Sequence, residues 1–247
     1  MAATYEGKHL GALYWRGNAT HRVPQQLHRS NRELAMRKVA QISGTNAGLV
    51  LVQSGHDEVR HNTDHEHLFR QESFFHYLFG VEEPDCCGVI DVSTGKATLF
   101  VPKLPEEHAV WLGTIPTLDV FKSKYGVDDV LYSDSESIVK EIKRLEPECI
   151  HLLSGENTDS GLRMSPPSLQ GLGLQALEDF KIETETLYQA LCESRCKKNP
   201  EEVELMRYVS KISSRAHVEV MRACKPGMME YQLEIGIILF LEFCQIK

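Results

Sequence analysis

Apolar residues come in short blocks separated by polar turns, and the period of each block predicts its structure. Ser30 and Glu33 have the spacing of a capping box, and Leu34, Met36, Val39 and Ile42 follow, so a first helix is predicted over 31–43. The run GLVLVQ at 48–53 is β-branched and short, which suits a buried strand, and the aromatic block FFHYLF at 74–79 reads as a second strand. Blocks 86–92 and 97–101 flank Ser93-Thr94-Gly95-Lys96, where the glycine supplies the positive φ of a tight loop, so they form a hairpin.

Beyond Pro105 the two periods alternate. Helical material is predicted around 106–112 and 118–125, a strand at 130–132, a helix at 136–145 and a strand at 150–153. Alternation of this kind predicts an α/β fold in which helices cover a mixed sheet. Residues 154–173, rich in Ser, Gly, Pro and Asp, read as a long surface loop. Asn199-Pro200-Glu201-Glu202 then supplies an N-cap acceptor, a proline at the first helical position and two acids at the positive end of the dipole. Leu205, Val209, Ile212, Ala216, Val220 and Ala223 recur at steps of three and four to give one apolar stripe, which Lys225-Pro226-Gly227 ends. The basic stretch just before this helix, within 191–198, is the candidate linker between a domain at 1–190 and a second segment at 199–247.

Composition narrows the class. With 247 residues, 42% hydrophobic and 25% charged, the chain can bury a sizeable core as one large or two modest domains. A formal net charge of −8 argues against a surface that neutralises phosphates, so nucleic acid is not an expected partner. The longest apolar run, 235–241, contains a glycine and ends at Glu242, well short of the roughly 20 residues of a membrane span. The first residues lack the basic, apolar and small-residue order of a secretory signal. Seven cysteines without framework spacing fit a reducing compartment, and a cytoplasmic protein is expected.

Few side chains point to chemistry. His61, Asp64, His65 and His67 form the densest ligand-like cluster and define one alternative, a small metal-binding module; three or four of them would have to converge within about 2.0–2.3 Å of the ion. Against it stands a plain solvated loop. Cys192 and Cys196, one helical turn apart beside Arg195, Lys197 and Lys198, define a thiol-dependent alternative against two ordinary helix cysteines. Gly95-Lys96 is not a phosphate loop, because the other glycine of that motif would fall at Ile90 and Ala97 follows where Ser or Thr is needed. The acid pairs Glu82-Glu83, Glu106-Glu107, Asp128-Asp129 and Glu201-Glu202 fall at turns and helix starts, where capping explains them.

Two blocks carry a family resemblance. One is Phe69-Arg70-Gln71-Glu72-Ser73-Phe74-Phe75 with Gly80, Pro84, Gly88-Val89-Ile90-Asp91 and Phe100-Val101-Pro102. The other is Leu205-Met206-Arg207-Tyr208, Lys211-Ile212-Ser213-Ser214, Ala216-His217 and Val220-Met221, followed by Pro226-Gly227-Met228 and Glu230. With Asn157-Thr158-Asp159-Ser160-Gly161 between them, they span about 13–233 and resemble prolidase (Xaa-Pro dipeptidase) in the aminopeptidase P and creatinase-type metallopeptidase family. The resemblance implies a mixed-sheet, ribonuclease H-like amino-terminal domain followed by the first helices of a pita-bread catalytic domain. It also implies homodimers, hydrolysis of dipeptides with a carboxy-terminal proline, and a centre of two manganese ions held by carboxylates and a histidine.

Those ligands lie downstream of the matching region in the family, and after Leu233 the sequence departs from the pattern. The expectation is a truncated form, as from alternative splicing, that holds no metal and no catalytic residues of its own and pairs with itself or a full-length relative. Its apolar faces on 199–224 and 235–243 are expected to lack cover. Trp111, between Pro105, His108 and Gly113, sits where the family's amino-terminal domain reaches the partner's substrate, so it is the candidate substrate-binding residue in trans; the alternative is a tryptophan packed on its own domain.

Overall fold

The run at 48–53 becomes the central strand of a sheet, buried along almost its whole length. The computed structural model describes residues 13–14, 20–164, 174–177 and 179–243. It begins with β1 (Leu13–Tyr14), β2 (Val23–Pro24), α1 (Gln26–Ser43), β3 (Gly48–Gln53) and α2 (Ser73–Phe79). Then come β4 (Cys87–Asp91), β5 (Ala97–Val101), α3 (Ala109–Leu112), α4 (Leu118–Tyr125), β6 (Asp129–Tyr132) and α5 (Ser135–Leu145). The last elements are β7 (Cys149–Leu152), β8 (Gly155–Glu156), β9 (Arg163–Met164), β10 (Lys181–Glu183), α6 (Thr186–Cys196), α7 (Pro200–Ala223) and α8 (Glu230–Phe243). By their contacts these fall into two units, one formed by His28–Lys197 and the other by the segments on either side of it.

In the larger unit six strands lie in the order β10-β7-β3-β4-β5-β6. The pairs β3/β4 and β4/β5 are antiparallel, whereas β3/β7, β7/β10 and β5/β6 are parallel, so the sheet is mixed as the alternation of elements implies. Successive side chains leave opposite faces. On one face Leu49, Leu51, Val89, Phe100, Ile150 and Leu152 pack against Ile138 and Ile142 of α5 and against Leu174 and Leu177. On the other, Gly88 takes the ring of Phe79 where a Cβ would lie 2.4 Å from it, which brings α2 directly onto the backbone of β4. Each such large apolar side chain stabilises the fold by roughly 1.5–3 kcal/mol relative to exposure.

Three expectations are corrected. Residues 74–79 are helix, not strand: the Glu72 carboxylate accepts hydrogen bonds from the amides of Phe74 (3.0 Å) and Phe75 (2.7 Å), and Gly80 at φ 66° closes the far end. The first helix starts at Gln26, so Ser30 and Glu33 lie inside it and form no capping box. Within the linker expected over 191–198, α6 continues to Cys196 with Leu191 and Ser194 buried, and the division between the two units falls between Lys197 and Lys198. The loop expected over 154–173 holds the small β8/β9 hairpin, and its residues 165–173 lie outside the described residues.

The early start of α1 has a physical cause. His28, Asn31 and Arg32, at i, i+3 and i+4, are all buried on one side of that helix. Carbonyls in the last turn of a helix have no partner within it. Here the Tyr77 carbonyl of α2 accepts from His28 Nδ1 and Asn31 Nδ2, both at 3.1 Å, and the Leu78 carbonyl accepts from Arg32 at 2.9 Å. The same guanidinium donates to the carbonyl of Gly126, which ends α4. One polar stripe therefore caps two helices.

In the smaller unit α7 opens with the expected capping box: the Asn199 side chain accepts from the amide of Glu202 (2.7 Å), and Glu202 accepts from the amide of Asn199 (2.8 Å). His21 stacks on Tyr208, with ring centroids 5.2 Å apart. Of the apolar stripe, Ile212 and Ala216 are buried and Val209 is exposed; Met206 and Met221, which lie outside the stripe, are exposed as well. On α8, Tyr231, Ile235, Ile238 and Leu239 are also exposed, so large apolar groups face water on both helices. Residues 244–247 of the divergent tail lie outside the described residues. Among the described residues no helix is long and apolar enough to cross a membrane.

Candidate functional site

A short 3₁₀ turn at Glu106–His108 runs straight into α3, and together they lift one aromatic ring away from the protein. Pro105 fixes an extended entry at φ −60° and ψ 151°. Gly113, at φ 76° and ψ −123°, makes the exit, a conformation that side chains with a Cβ rarely adopt. Between these two stops Trp111 is 87% exposed and Val110 beside it is 81% exposed. The tryptophan is thus not packed on its own domain, and its indole face and N–H are both open to a visiting molecule.

The metal-ligand alternative is not assembled. His61, Asp64, His65 and His67 lie on an exposed loop shaped by backbone contacts: the Arg60 amide donates to the His65 carbonyl at 2.7 Å and the His67 amide to the Glu58 carbonyl at 2.9 Å. An isolated bridge between Val59 and Glu66 pins the same loop. Among the described residues no three or more His, Cys, Asp or Glu side chains converge as a metal site would need.

The thiols follow the bland reading. Burial pushes the Cys87 thiol up to about 12 and raises that of Cys86 as well, which leaves both without nucleophilic character. Cys196 donates to the carbonyl of Cys192 one turn back, and the guanidinium of Arg195 lies over the rings of Phe74 (4.9 Å) and Tyr77 (6.0 Å). The acid pairs serve structure: Glu83 accepts from Lys124 (2.7 Å) and from the Tyr125 hydroxyl, and Asp128 accepts from the amide of Ala97 (2.9 Å). At the hairpin turn, burial works to raise the Asp91 carboxyl, but donors on Ser93 and Thr94 hold it below the usual carboxylate range.

One constellation escaped the sequence reading. Cys149 Sγ lies 3.4 Å from His151 Nε2, and His151 Nδ1 lies 2.8 Å from Glu183 Oε2. Thiol, imidazole and carboxylate in line resemble an activated nucleophile. Burial raises the Cys149 thiol, however, and the backbone of Gly48 sits so close that a Cβ there would be 2.9 Å from His151 Nε2. Glu183 also accepts from the amides of Glu185 and Thr186, so the group ties β7 to β10 and to the start of α6. The Cys-x-His spacing was visible, but Glu183 joins it only through the parallel register of His151 with Glu183.

Comparison with known proteins fits this picture of a sheet domain followed by helices. The family model described as aminopeptidase P, N-terminal domain, matches residues 28–159. The Xaa-Pro dipeptidase of Homo sapiens is 44% identical over 235 residues, which is 95% of this chain and 46% of that protein. The corresponding enzyme of Pongo abelii is also 44% identical, over 236 residues and the same shares. Among solved structures, aminopeptidase P from E. coli in its low pH form superposes with a TM-score of 0.70 at 24% identity, covering 90% of this chain and 50% of that one. The chain thus spans about half the length of the relatives it matches. Its mixed sheet, the domain matched over 28–159 and the shared sequence on both sides of α6 place it in the prolidase and aminopeptidase P family, to which the chain belongs.

Proposed function

We propose that this chain serves the prolidase family as a binding module rather than a hydrolase. It pairs with a second copy or with a full-length relative in the cytoplasm and presents Trp111 to a proline-containing dipeptide held by its partner. Manganese-dependent cleavage of that dipeptide belongs to the longer members. The observation that carries this reading is the exposed Val110–Trp111 pair, an apolar surface held out by Pro105 and Gly113 on a domain whose described residues gather no metal-ligand set. Exposed aromatic groups of this kind mark contact surfaces.

Incubating the purified chain with manganese and Gly-Pro tests the first half: turnover no higher than a metal-free control is expected, and turnover well above it refutes the binding-module reading. The second half is tested by Trp111→Ala in a full-length relative. A KM for Gly-Pro raised several-fold, with circular dichroism unchanged, supports contact in trans; an unchanged KM removes it.

A further inference from the structure

Gly48, Cys149 and Lys181 are the first residues of β3, β7 and β10 and stand side by side in register, so the thiol lies at the rim of the sheet, one strand in from its edge. Alternation puts His151 and Glu183, two residues further along, on the same face. Cys149 is 5% exposed and His151 only 1%. The protons in this line follow from the partners. Burial works to raise the Glu183 carboxyl, but hydrogen bonds from His151, Glu185 and Thr186 hold it below the usual carboxylate range, so it is ionised and can only accept. His151 Nδ1, 2.8 Å from Glu183 Oε2, therefore carries the ring hydrogen, and Nε2 turns its lone pair to Cys149 Sγ at 3.4 Å. Burial raises the thiol, Lys181 opposes that and Glu183 and Glu148 add to it, so the sulfur rests as S–H and needs a base when it reacts. Nε2 is in place to be that base. Gly48 keeps the flank of the pair free of a side chain, since a Cβ there would stand 2.9 Å from Nε2 and 3.0 Å from Sγ.

We propose that Cys149 is a site of reversible oxidation by hydrogen peroxide, with His151 as its base and Glu183 as the group that orients the ring. The thiol proton passes to Nε2 while a sulfur electron pair attacks one peroxide oxygen. The O–O bond breaks toward the other oxygen, which leaves as hydroxide and takes the proton from the imidazolium as water. Sulfur is oxidised to a sulfenic acid, which thiols reduce again, and peroxide is reduced to water. The adjacent Glu183 carboxylate favours the imidazolium formed on the way, as the third member of such lines does. A reagent as small as peroxide suits a sulfur that is nearly enclosed. This chemistry uses neither Trp111 nor a partner's metal, so it stands or falls apart from the binding-module reading.

The test uses the whole reduced chain. It is exposed to hydrogen peroxide for set times, the peroxide is removed with catalase, and the chain is unfolded in dimedone, which tags sulfenic acids for counting by peptide mass spectrometry. Cys196 and Cys224, both exposed, are the internal references. Cys149 is expected to oxidise at least about tenfold faster than either, because a placed base outweighs exposure. His151→Gln, with circular dichroism unchanged, should slow Cys149 about a hundredfold and leave Cys196 and Cys224 as they were. His151→Ala should slow it likewise, and added imidazole should restore the rate, which a ring with a merely structural role would not require. Cys149 oxidising no faster than the exposed cysteines, an undiminished rate in folded His151→Gln, or no rescue of folded His151→Ala by imidazole overturns the proposal. So does a bulky maleimide that alkylates Cys149 in the native chain as fast as peroxide oxidises it, since the sulfur would then react through opening of the sheet. If the His151 variants do not fold, the ranking of the three cysteines in the wild type decides.

Discussion

Acid should destabilise this protein through His28 before it reaches most carboxylates. Burial lowers the pKa of this ring from 6.5 to about 4, assisted by the nearby positive charges of His76 and Arg32 and opposed by the hydrogen bond to the Tyr77 carbonyl. An unfolded chain therefore takes up a proton near pH 6.5 that the folded chain refuses until about pH 4. Between those values the unfolded state binds more protons, so stability rises with pH. The contribution is complete above pH 6.5, declines as pH falls and is gone below about pH 4. At about 1.4 kcal/mol per unit of pKa difference, a change from about pH 7.5 to about pH 4.5 removes about 2.5 kcal/mol.

Urea unfolding of the wild type and of His28→Gln at both pH values measures this directly. Glutamine keeps a donor for the Tyr77 carbonyl but cannot be protonated, so the variant should lose about 2.5 kcal/mol less than the wild type over the same interval. The carboxylates titrate equally in both proteins and cancel. His76, whose ring lies 5.8 Å from that of His28 and whose pKa burial also lowers, leaves a residual slope that His76→Gln should flatten further. Equal losses in the wild type and His28→Gln would refute the reasoning, since they would mean that the buried ring is no more reluctant to charge than a free one.

Three further outcomes check other parts of the structure. Gly80→Ala combines a left-handed φ of 66° with a Cβ 2.3 Å from His28 Nε2 and should cost more than about 2 kcal/mol, whereas Gly95→Ala, at φ 71° with nothing within 4 Å, should cost only about 1–2 kcal/mol; urea midpoints compare the two. Asn199→Ala removes the acceptor of a capping box and should lower stability by about 1 kcal/mol, read from the same curves. Trp111→Ala, at a position 87% exposed, should change the midpoint by less than about 0.5 kcal/mol, because the ring makes little contact with its own domain.

What the sequence made legible was whatever a local signal determines. Gly95 fixed the hairpin turn and Asn199-Pro200 fixed the start of α7, because turns and caps are decided within four residues. At 74–79 the signal was degenerate: five of the seven residues of α2 are buried, so no polar face revealed a helical period, and the decisive groups, Glu72 and Gly80, lay outside the block. The start of α1 was hidden for the opposite reason. His28, Asn31 and Arg32 look like a solvent face, yet they are buried because their donors serve carbonyls 46 and 49 residues away. The exposure of Trp111 could be expected only from the family resemblance, since Pro105 and Gly113 set its position but not its surroundings. The Cys149–His151–Glu183 line depended on strand register, which no local pattern specifies.

The collar that α1 places around the end of α2 also dictates an order of events. A seven-residue helix is too short to persist in water by itself, and its final carbonyls find donors only after a loop of nearly fifty residues has closed. Docking of α1 must therefore precede or accompany formation of α2 on the folding route. In the native protein, the amides at the end of α2 should exchange with solvent hydrogen only when α1 lifts away, so both helices should share one opening rate.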